Sequence, residues 1–386
     1  MTPRNDIAIY SPYAFAYYED PASEAYKRGW GGGGAELQTT LLARALSAQG
    51  FRTAHIVYPV EIMAQREERY PEVVERPDRA PRRDAIGKLG ETRGVWRALA
   101  EADARAYVFR TGLSGGIAAF AVGALFARAR RRRVVLAASN DLDFLFGRPD
   151  RSRATERVYR LALRHTTRVV VQSEQQLALA RSVLGDGDRV TLIPSFTESA
   201  PQRRSPGPDA PFLWAGRIID YKLPLEFVAL ARALPQARFE MIAFKTGETP
   251  AALAQRLAHE AAALPNLELI GRLRREQVLE RIERCAAVVS TSRYEGMPNV
   301  FLEAWTRGVP VVTLHFDPDD RITTERTGIC AEGSWERFVE ATNALREEQP
   351  LRDELGRNGR AYIERVHSLE AVGGRWAALL TEAASA

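Results

Sequence analysis

Cysteine is scarce in this chain: Cys285 and Cys330 are the only two in 386 residues, and neither stands at metal-ligand spacing or in a redox motif. A disulfide framework and a cysteine-zinc site are thereby excluded, and both residues read as core thiols in a reducing compartment. Long apolar runs are missing too. The longest, Gly116 to Ala127, falls well short of the ~20 residues that a membrane-crossing helix needs. The opening MTPRNDIAIY is too poor in apolar residues for a signal peptide and already reads as a strand, so the expected location is the cytoplasm. Histidine is sparse, five in all; His165 falls in a helix and His55 and His315 in or near strands, none beside a convincing ligand or nucleophile. No RNA- or DNA-binding motif occurs, and the arginine cluster at Arg128 and Arg130 to Arg133 lacks interleaved aromatics, so no nucleic-acid partner is expected.

What the chain does have is alternation. Its length suits two domains, and apolar strand-like runs alternate with helical patterns as a parallel sheet wrapped by helices requires. In the first half the strands are Asp6 to Tyr10, Phe51 to Tyr58, Ala106 to Phe109, Val134 to Ala138, Val169 to Gln172 and Arg189 to Pro194, with a helix over Glu174 to Leu184. Residues 61–90, rich in Arg, Glu and Pro with little periodicity, read as an irregular excursion. The Pro-, Gly- and Arg-rich QRRSPGPDAP is the expected linker, giving domains of residues 1–200 and 201–367. The second half repeats the pattern at Phe212 to Ala215, Phe239 to Ala243, Leu267 to Ile270, Ala287 to Ser290 and Val309 to Thr313. A last helix over residues 368–386 follows.

Three stretches carry candidate chemistry. In TSRYEGMPNVFLEAWTRGVPVVT, Thr291 to Thr313, a buried strand gives way to a polar turn with Glu295 and Gly296. A helix opening at Pro298 and Asn299 and closing at Gly308 follows, then a second strand. Glu295 lies beside the helix N-terminus, a natural anion site, and Glu303 follows with seven residues between them. Upstream, Gly216-Arg217 and Lys222 follow the strand FLWAG; two cations five residues apart at a sheet mouth can straddle one diphosphate, the guanidinium bidentately and the ammonium as a point charge. Near the N-terminus the glycine cluster GWGGGGAELQ opens a helix. It is no dinucleotide fingerprint, since about twenty residues separate it from the strand, but its glycines permit close approach to an anion.

Set in EGMPNVFLEAWTRGVPVV, the Glu-x7-Glu pair resembles the signature of the retaining GT-B glycosyltransferases of family 4, and Gly-Arg-x4-Lys stands where that family has the same pattern. The resemblance implies an α/β chain of two Rossmann-like domains facing across a cleft, with the C-terminal helix returning to the first domain. It implies a nucleoside diphosphate sugar as donor, a hydroxyl acceptor, and no metal or other cofactor. Glu295 would then approach the donor sugar, Glu303 hold the ribose, and Arg217 and Lys222 stabilise the leaving diphosphate. Gly216, Gly296, the backbone of Asn299 and Val300, and Gly33 and Gly34 would line the donor, with Arg272 beside the base. Family members often place a His after the strand matching VVLAAS; this chain has Ser139-Asn140-Asp141, so Asp141 or Asp143 is expected to supply the polar contact. Asp141-Leu142-Asp143 also spells the metal motif of the other major glycosyltransferase fold, which is discounted because Arg217 and Lys222 already provide positive charge. Two other activities fit the architecture: a sugar-nucleotide epimerase, disfavoured by the shortage of acid/base groups, and a sugar-nucleotide-binding protein without turnover, disfavoured by the joint presence of Glu295, Arg217 and Lys222. A phosphorylase that uses pyridoxal phosphate is disfavoured by length and by the lack of a lysine in a cofactor context.

The apolar IAAFAVGALFA ends in the cluster Arg128 and Arg130 to Arg133. Such a segment suits a surface resting on anionic lipid on the inner face of a membrane, with a lipid-linked acceptor. It equally suits arginines that complement a helix C-terminus and stay solvated.

Overall fold

The computed structural model describes residues 3–18, 33–58, 72–75, 85–110, 116–147, 151–201, 206–207 and 209–385. The chain divides into two compact units, Met1–Phe196 with Leu369–Ala386, and Thr197–Ser368. The break thus falls at Phe196, a few residues before the Pro-rich stretch.

The first unit runs β1 (Asn5–Tyr10), α1 (Gly34–Ala48), β2 (Thr53–Val57), β3 (Glu72–Glu75), α2 (Ala85–Ala102), β4 (Ala104–Phe109), α3 (Ile117–Arg130), β5 (Arg133–Ala137), α4 (Arg153–Arg164), β6 (Arg168–Val171), α5 (Glu174–Leu184) and β7 (Val190–Leu192). All neighbouring strands are parallel, in the order β3-β2-β1-β4-β5-β6-β7. Helices cover both faces of such a sheet, which is why the strands read as continuous apolar runs; every residue of β2 is buried. Ser152 and Ser173 cap α4 and α5, each accepting at 3.1 Å from the amide three residues on, Thr155 and Gln176.

One expectation needs correction here. Residues 61–90 are not irregular throughout: β3 pairs with β2 at the sheet edge and α2 already begins at Ala85. A four-residue strand whose only apolar pair is Val73-Val74 is too short to show alternation. The apolar segment before the arginines is largely core, with Phe120, Ala124, Phe126 and Ala127 buried. At Gly123 an added Cβ would lie 2.1 Å from the Phe109 ring, so this glycine lets α3 lie directly on β4.

The second unit runs β8 (Phe212–Arg217), α6 (Pro224–Ala233), β9 (Phe239–Phe244), α7 (Ala251–Ala262), β10 (Leu267–Ile270), α8 (Arg275–Arg284), β11 (Ala287–Ser290), α9 (Asn299–Trp305), β12 (Val311–Thr313), α10 (Arg321–Thr324), β13 (Gly328–Cys330), α11 (Trp335–Glu347) and α12 (Gln349–Val366). Its parallel order is β10-β9-β8-β11-β12-β13. The edge strand β13 has no counterpart in the sequence reading, being three residues long. Pro298 is the N-cap of α9 rather than its first helical residue, and Gly308 closes the segment at φ +68°. α12 crosses the end of α9 at two glycines: a Cβ on Gly356 would meet the Gly308 carbonyl at 2.1 Å, and one on Gly359 the Trp305 ring at 2.7 Å. Neither cysteine forms a disulfide, and both are buried.

The last helix, α13 (Leu369–Ser385), belongs to the first unit, where it packs on α1 with Val372, Trp376, Leu379 and Leu380 buried. The second unit begins and ends at one place: Thr197 N donates to His367 O at 2.9 Å, and Thr197 bridges Ser368.

His55, on β2, is fully buried with Nδ1 2.6 Å from the Tyr18 hydroxyl, and burial draws its pKa down to about 3. It is therefore neutral when folded, while the unfolded chain takes up a proton near pH 6.5, so stability falls as pH drops from about 6.5 toward 3, by at most ~1.4 kcal/mol per pH unit. Urea unfolding at pH steps from 5 to 6.5 should show this slope in the wild type and a flatter one in His55→Gln; equal slopes would remove the assignment.

Candidate active site

In both sheets the strand order reverses beside the first strand, between β1 and β4 and between β8 and β11. Such a switch point opens a crevice at the carboxyl ends of the strands, where ligands bind in open α/β sheets. In the second unit β8 ends on Gly216 and Arg217, and the residues that leave β11 are Thr291 to Glu295. The two sequence motifs therefore meet at one switch point.

One hydroxyl ties these segments together. Thr291 Oγ1 accepts from Trp214 Nε1 at 3.1 Å and donates to the Lys222 carbonyl at 2.7 Å, and Arg293 N donates to Tyr221 O at 2.9 Å. Beyond β8 the chain makes a 3-10 turn, Asp220–Lys222, and passes through left-handed Leu223 at φ +47° into α6. The Lys222 stem lies over Gly216, where an added Cβ would sit 3.2 Å from Lys222 Cδ and 3.1 Å from Trp214. Gly216 thus sets the height of the lysine above the strand end.

The lysine meets the first glutamate directly. Lys222 Nζ is paired with Glu295 Oε1, both side chains being less than a fifth exposed, and Ser292 Oγ donates to the same oxygen at 3.0 Å. These groups line a pocket with Trp214, Ser290 and Val300. Arg217 is more open: Nη1 donates to Glu248 Oε2 at 2.7 Å and Nη2 to the Tyr221 hydroxyl at 3.1 Å, with Glu248 72% exposed. Tyr221 stacks on Tyr294 at 4.9 Å and 15°. Burial, then the Glu295 charge, raise the Tyr221 pKa.

The second glutamate occupies a different environment. Glu303 is 7% exposed on α9; burial pushes its carboxyl above the usual range, against the pull of Arg275 and Arg307. Arg275 Nε donates to Glu303 Oε1 at 2.9 Å and Nη1 to Glu198 Oε2 at 2.9 Å. Asn299 and Val300 form the first turn of α9, ahead of Phe301 N, which bonds back to Pro298 O at 3.0 Å. Gly296 lies in the turn before it. Arg272 is exposed beyond β10, its guanidinium over the Phe244 ring at 5.1 Å.

In the first unit, Gly33 is the N-cap of α1 and Gly34 its first residue; a Cβ on Gly33 would meet Glu36 Oε2 at 2.7 Å. The rest of the glycine cluster lies outside the described residues. Asp141 opens a short 3-10 turn capped by Asn140, whose side chain accepts from Leu142 N at 2.9 Å. Asp143 is fully buried and accepts from Ser139 N at 2.9 Å, which fixes it as a structural carboxylate; of the two aspartates only Asp141 is partly exposed. Among the described residues no group of three His, Cys, Asp or Glu side chains is placed to hold a metal ion. At the end of β4, Arg110 is 8% exposed, and burial draws its pKa to about 10 against the Glu36 and Asp143 charges.

Several of these residues escaped the sequence reading. Arg275 and Glu198 are distant in the chain, and each looks like one more surface charge. Tyr221, Ser292 and Tyr294 sit inside the motifs and were detectable only as their neighbours.

The family model "Glycosyl transferases group 1" matches residues 195–362, and "Glycosyl transferase 4-like domain" matches residues 33–195. Sucrose-phosphate synthase from Thermosynechococcus elongatus shares the fold with a TM-score of 0.76 at 17% identity, over 98% of this chain and 99% of that one. HepE from Anabaena, solved with UDP and glucose, gives 0.71 at 16% identity over 98% and 100%. WaaG, a glycosyltransferase involved in lipopolysaccharide biosynthesis, gives 0.65 at 16% identity over 97% and 99%. With two matched domains in tandem over residues 33–362, and Gly-Arg-x4-Lys and Glu-x7-Glu at one switch point of the second sheet, the chain belongs to the group 1 glycosyltransferases of GT-B fold.

Proposed function

We propose that the protein transfers a sugar, with retention of anomeric configuration and without a metal ion, from a nucleoside diphosphate sugar to a hydroxyl of a lipid-linked or polysaccharide acceptor. The observation that carries this reading is the meeting of Lys222, Arg217 and Glu295 at the β8/β11 switch point. The UDP and glucose bound by HepE support a nucleotide-sugar donor.

The chemistry follows from the charges. A diphosphate entering the site would take Arg217 from Glu248. That pair is exposed and worth no more than about 1 kcal/mol, so the exchange costs little. Lys222 would turn from Glu295 toward the phosphate, and the glutamate, still held by Ser292, would accept from hydroxyls of the donor sugar. Glu303 would hold the ribose hydroxyls. As the bond from anomeric carbon to phosphate oxygen breaks, Arg217 and Lys222 stabilise the charge gathering on the diphosphate. The acceptor oxygen bonds to that carbon on the face the phosphate leaves, and its proton passes to the departing phosphate. The parts of Gly33 and Gly34 in this scheme rest on the family resemblance, and those of Asp141 and Arg272 on their places just beyond β5 and β10.

A membrane contact is the second part of the proposal. The chain has no Asp or Glu from Ile117 to Arg133, and Leu125 is 62% exposed ahead of the solvent-facing Arg128, Arg130 and Arg131. The neighbouring α4 exposes Arg153, Arg157, Arg160 and Arg164 beside Val158 and Leu161, and its one acid, Glu156, is buried against Gly147 N. Arginines flanking bare aliphatic side chains suit anionic headgroups over an apolar layer. Among the described residues no helix is long and apolar enough to cross a membrane.

A thermal-shift panel of UDP, GDP and ADP with EDTA present should show one nucleotide raising the midpoint. At a hundredfold excess over Kd the gain is about 2.7 kcal/mol; Arg217→Ala and Lys222→Ala should abolish it. Proton NMR of the product should show the donor's anomeric configuration. No response in EDTA, or an inverted product, would refute the metal-independent, retaining reading. In co-sedimentation the protein should bind phosphatidylglycerol-containing vesicles and not pure phosphatidylcholine. Arg157→Glu with Arg164→Glu should cut binding by tenfold or more, at about fivefold per arginine; equal binding to both vesicle types would exclude the contact.

A further inference from the structure

Glu303 does not stand alone in its pocket. Among the described residues Arg275 is the only side-chain donor to its carboxylate, at 2.9 Å, and the other arm of the same guanidinium holds Glu198 at 2.9 Å. Glu198 is itself anchored: Thr306 Oγ1, at the end of α9, donates to its carbonyl at 3.1 Å, and it follows Thr197, which is bound to His367 O. The remaining charge acting on Glu303 is Arg307, which donates to the Glu303 carbonyl at 3.2 Å and pairs with Glu283 at 3.0 Å. Arg307 is thus engaged with the backbone and another acid. The group set against the Glu303 carboxylate is Arg275.

A buried carboxylate that receives two vicinal hydroxyls does so best when ionised, since both hydroxyls must donate to it. Burial works against ionisation at Glu303, and the negative Glu198 adds to that; the guanidinium opposes both. Arginine suits the task because its planar fork holds two carboxylates in fixed directions while remaining charged. We propose that Arg275 is a positioning residue of the nucleotide site: it keeps Glu303 ionised and fixed in direction for the ribose diol, and Glu198 anchors Arg275 in place. This rests on the reading of Glu303 as the ribose-binding carboxylate.

The test is calorimetric titration of the nucleoside diphosphate that stabilises the protein, and of its 2′-deoxy analogue, at pH 6 and pH 8. The proteins compared are the wild type, Arg275→Gln, Arg275→Lys and Glu303→Gln. The wild type should prefer the ribonucleotide about tenfold or more at both pH values, as expected for a hydrogen bond to a charged group. In Arg275→Gln that preference should fall severalfold at pH 6 and partly recover at pH 8, because Glu303 without its guanidinium stays protonated to higher pH. Arg275→Lys should restore the flat pH profile with a preference below that of the wild type, one ammonium being unable to bridge both acids.

Wild-type preference and a flat profile in Arg275→Gln, with the preference lost in Glu303→Gln, would overturn the role of Arg275 and leave the ribose assignment standing. Full preference in Glu303→Gln would overturn the ribose assignment and this proposal with it. Far-ultraviolet dichroism checks folding. Should Arg275→Gln not fold, Arg275→Lys decides alone, and an undiminished ribose preference there would overturn the proposal.

Discussion

The structure depends on a constraint of parallel sheets: every strand delivers its carboxyl end to the same edge. The chain therefore returns through a helix after each strand, and all the turns that leave the strands collect on one side. In the second unit this brings the turn after β8 and the turn after β11 together, although more than seventy residues separate Lys222 from Glu295. The reversal of strand order between those two strands supplies the gap, and Thr291 fixes its width through one hydroxyl shared by Trp214 and Lys222. The placing of the charges follows from this backbone arrangement.

Opposite charges at such a place carry different weights. The Arg217–Glu248 pair lies open to solvent, where pairing contributes little and yields readily to a better anion. The Lys222–Glu295 pair is largely enclosed, and removing either partner would leave the other poorly solvated. Glu303 goes further: burial would neutralise it, and Arg275 opposes this. The charged groups thus range from an exposed, exchangeable cation to a buried, counterbalanced anion. That gradient is one of burial, with the same few side-chain types throughout.

Much of this was legible in the sequence because it is local. Strand, turn and helix around Glu295 occupy some twenty consecutive residues whose proline, glycine and apolar periodicity mark their own boundaries, and Gly216 to Lys222 follows an apolar run. What was not legible is what only pairing in space creates. β3 and β13 are too short to show alternation and exist because an edge accepts them. Arg275 looks like any other basic residue at a helix start until Glu198 and Glu303 close on it. Asp143 resembles a ligand in Asp141-Leu142-Asp143, yet it is spent on the Ser139 amide, since a buried amide needs an acceptor. The segment from Ile117 looks like one greasy run, but most of its apolar side chains lie in the core and its arginines on the surface.

The return of α13 to the first unit has a consequence for how the protein comes into being. Trp376 and Leu380 of that helix fill the same core as Ile7 and Ile9 of β1 and Leu41 of α1. Synthesis proceeds from the N-terminus, and domains close as their residues emerge. The second unit, whose two ends meet at Thr197 and Ser368, has all its residues before α13 is made. The half begun first is therefore finished last. Until α13 leaves the ribosome, the part of that core it fills stays uncovered, and a nascent chain stopped near residue 368 would carry a closed second unit and an unfinished first one.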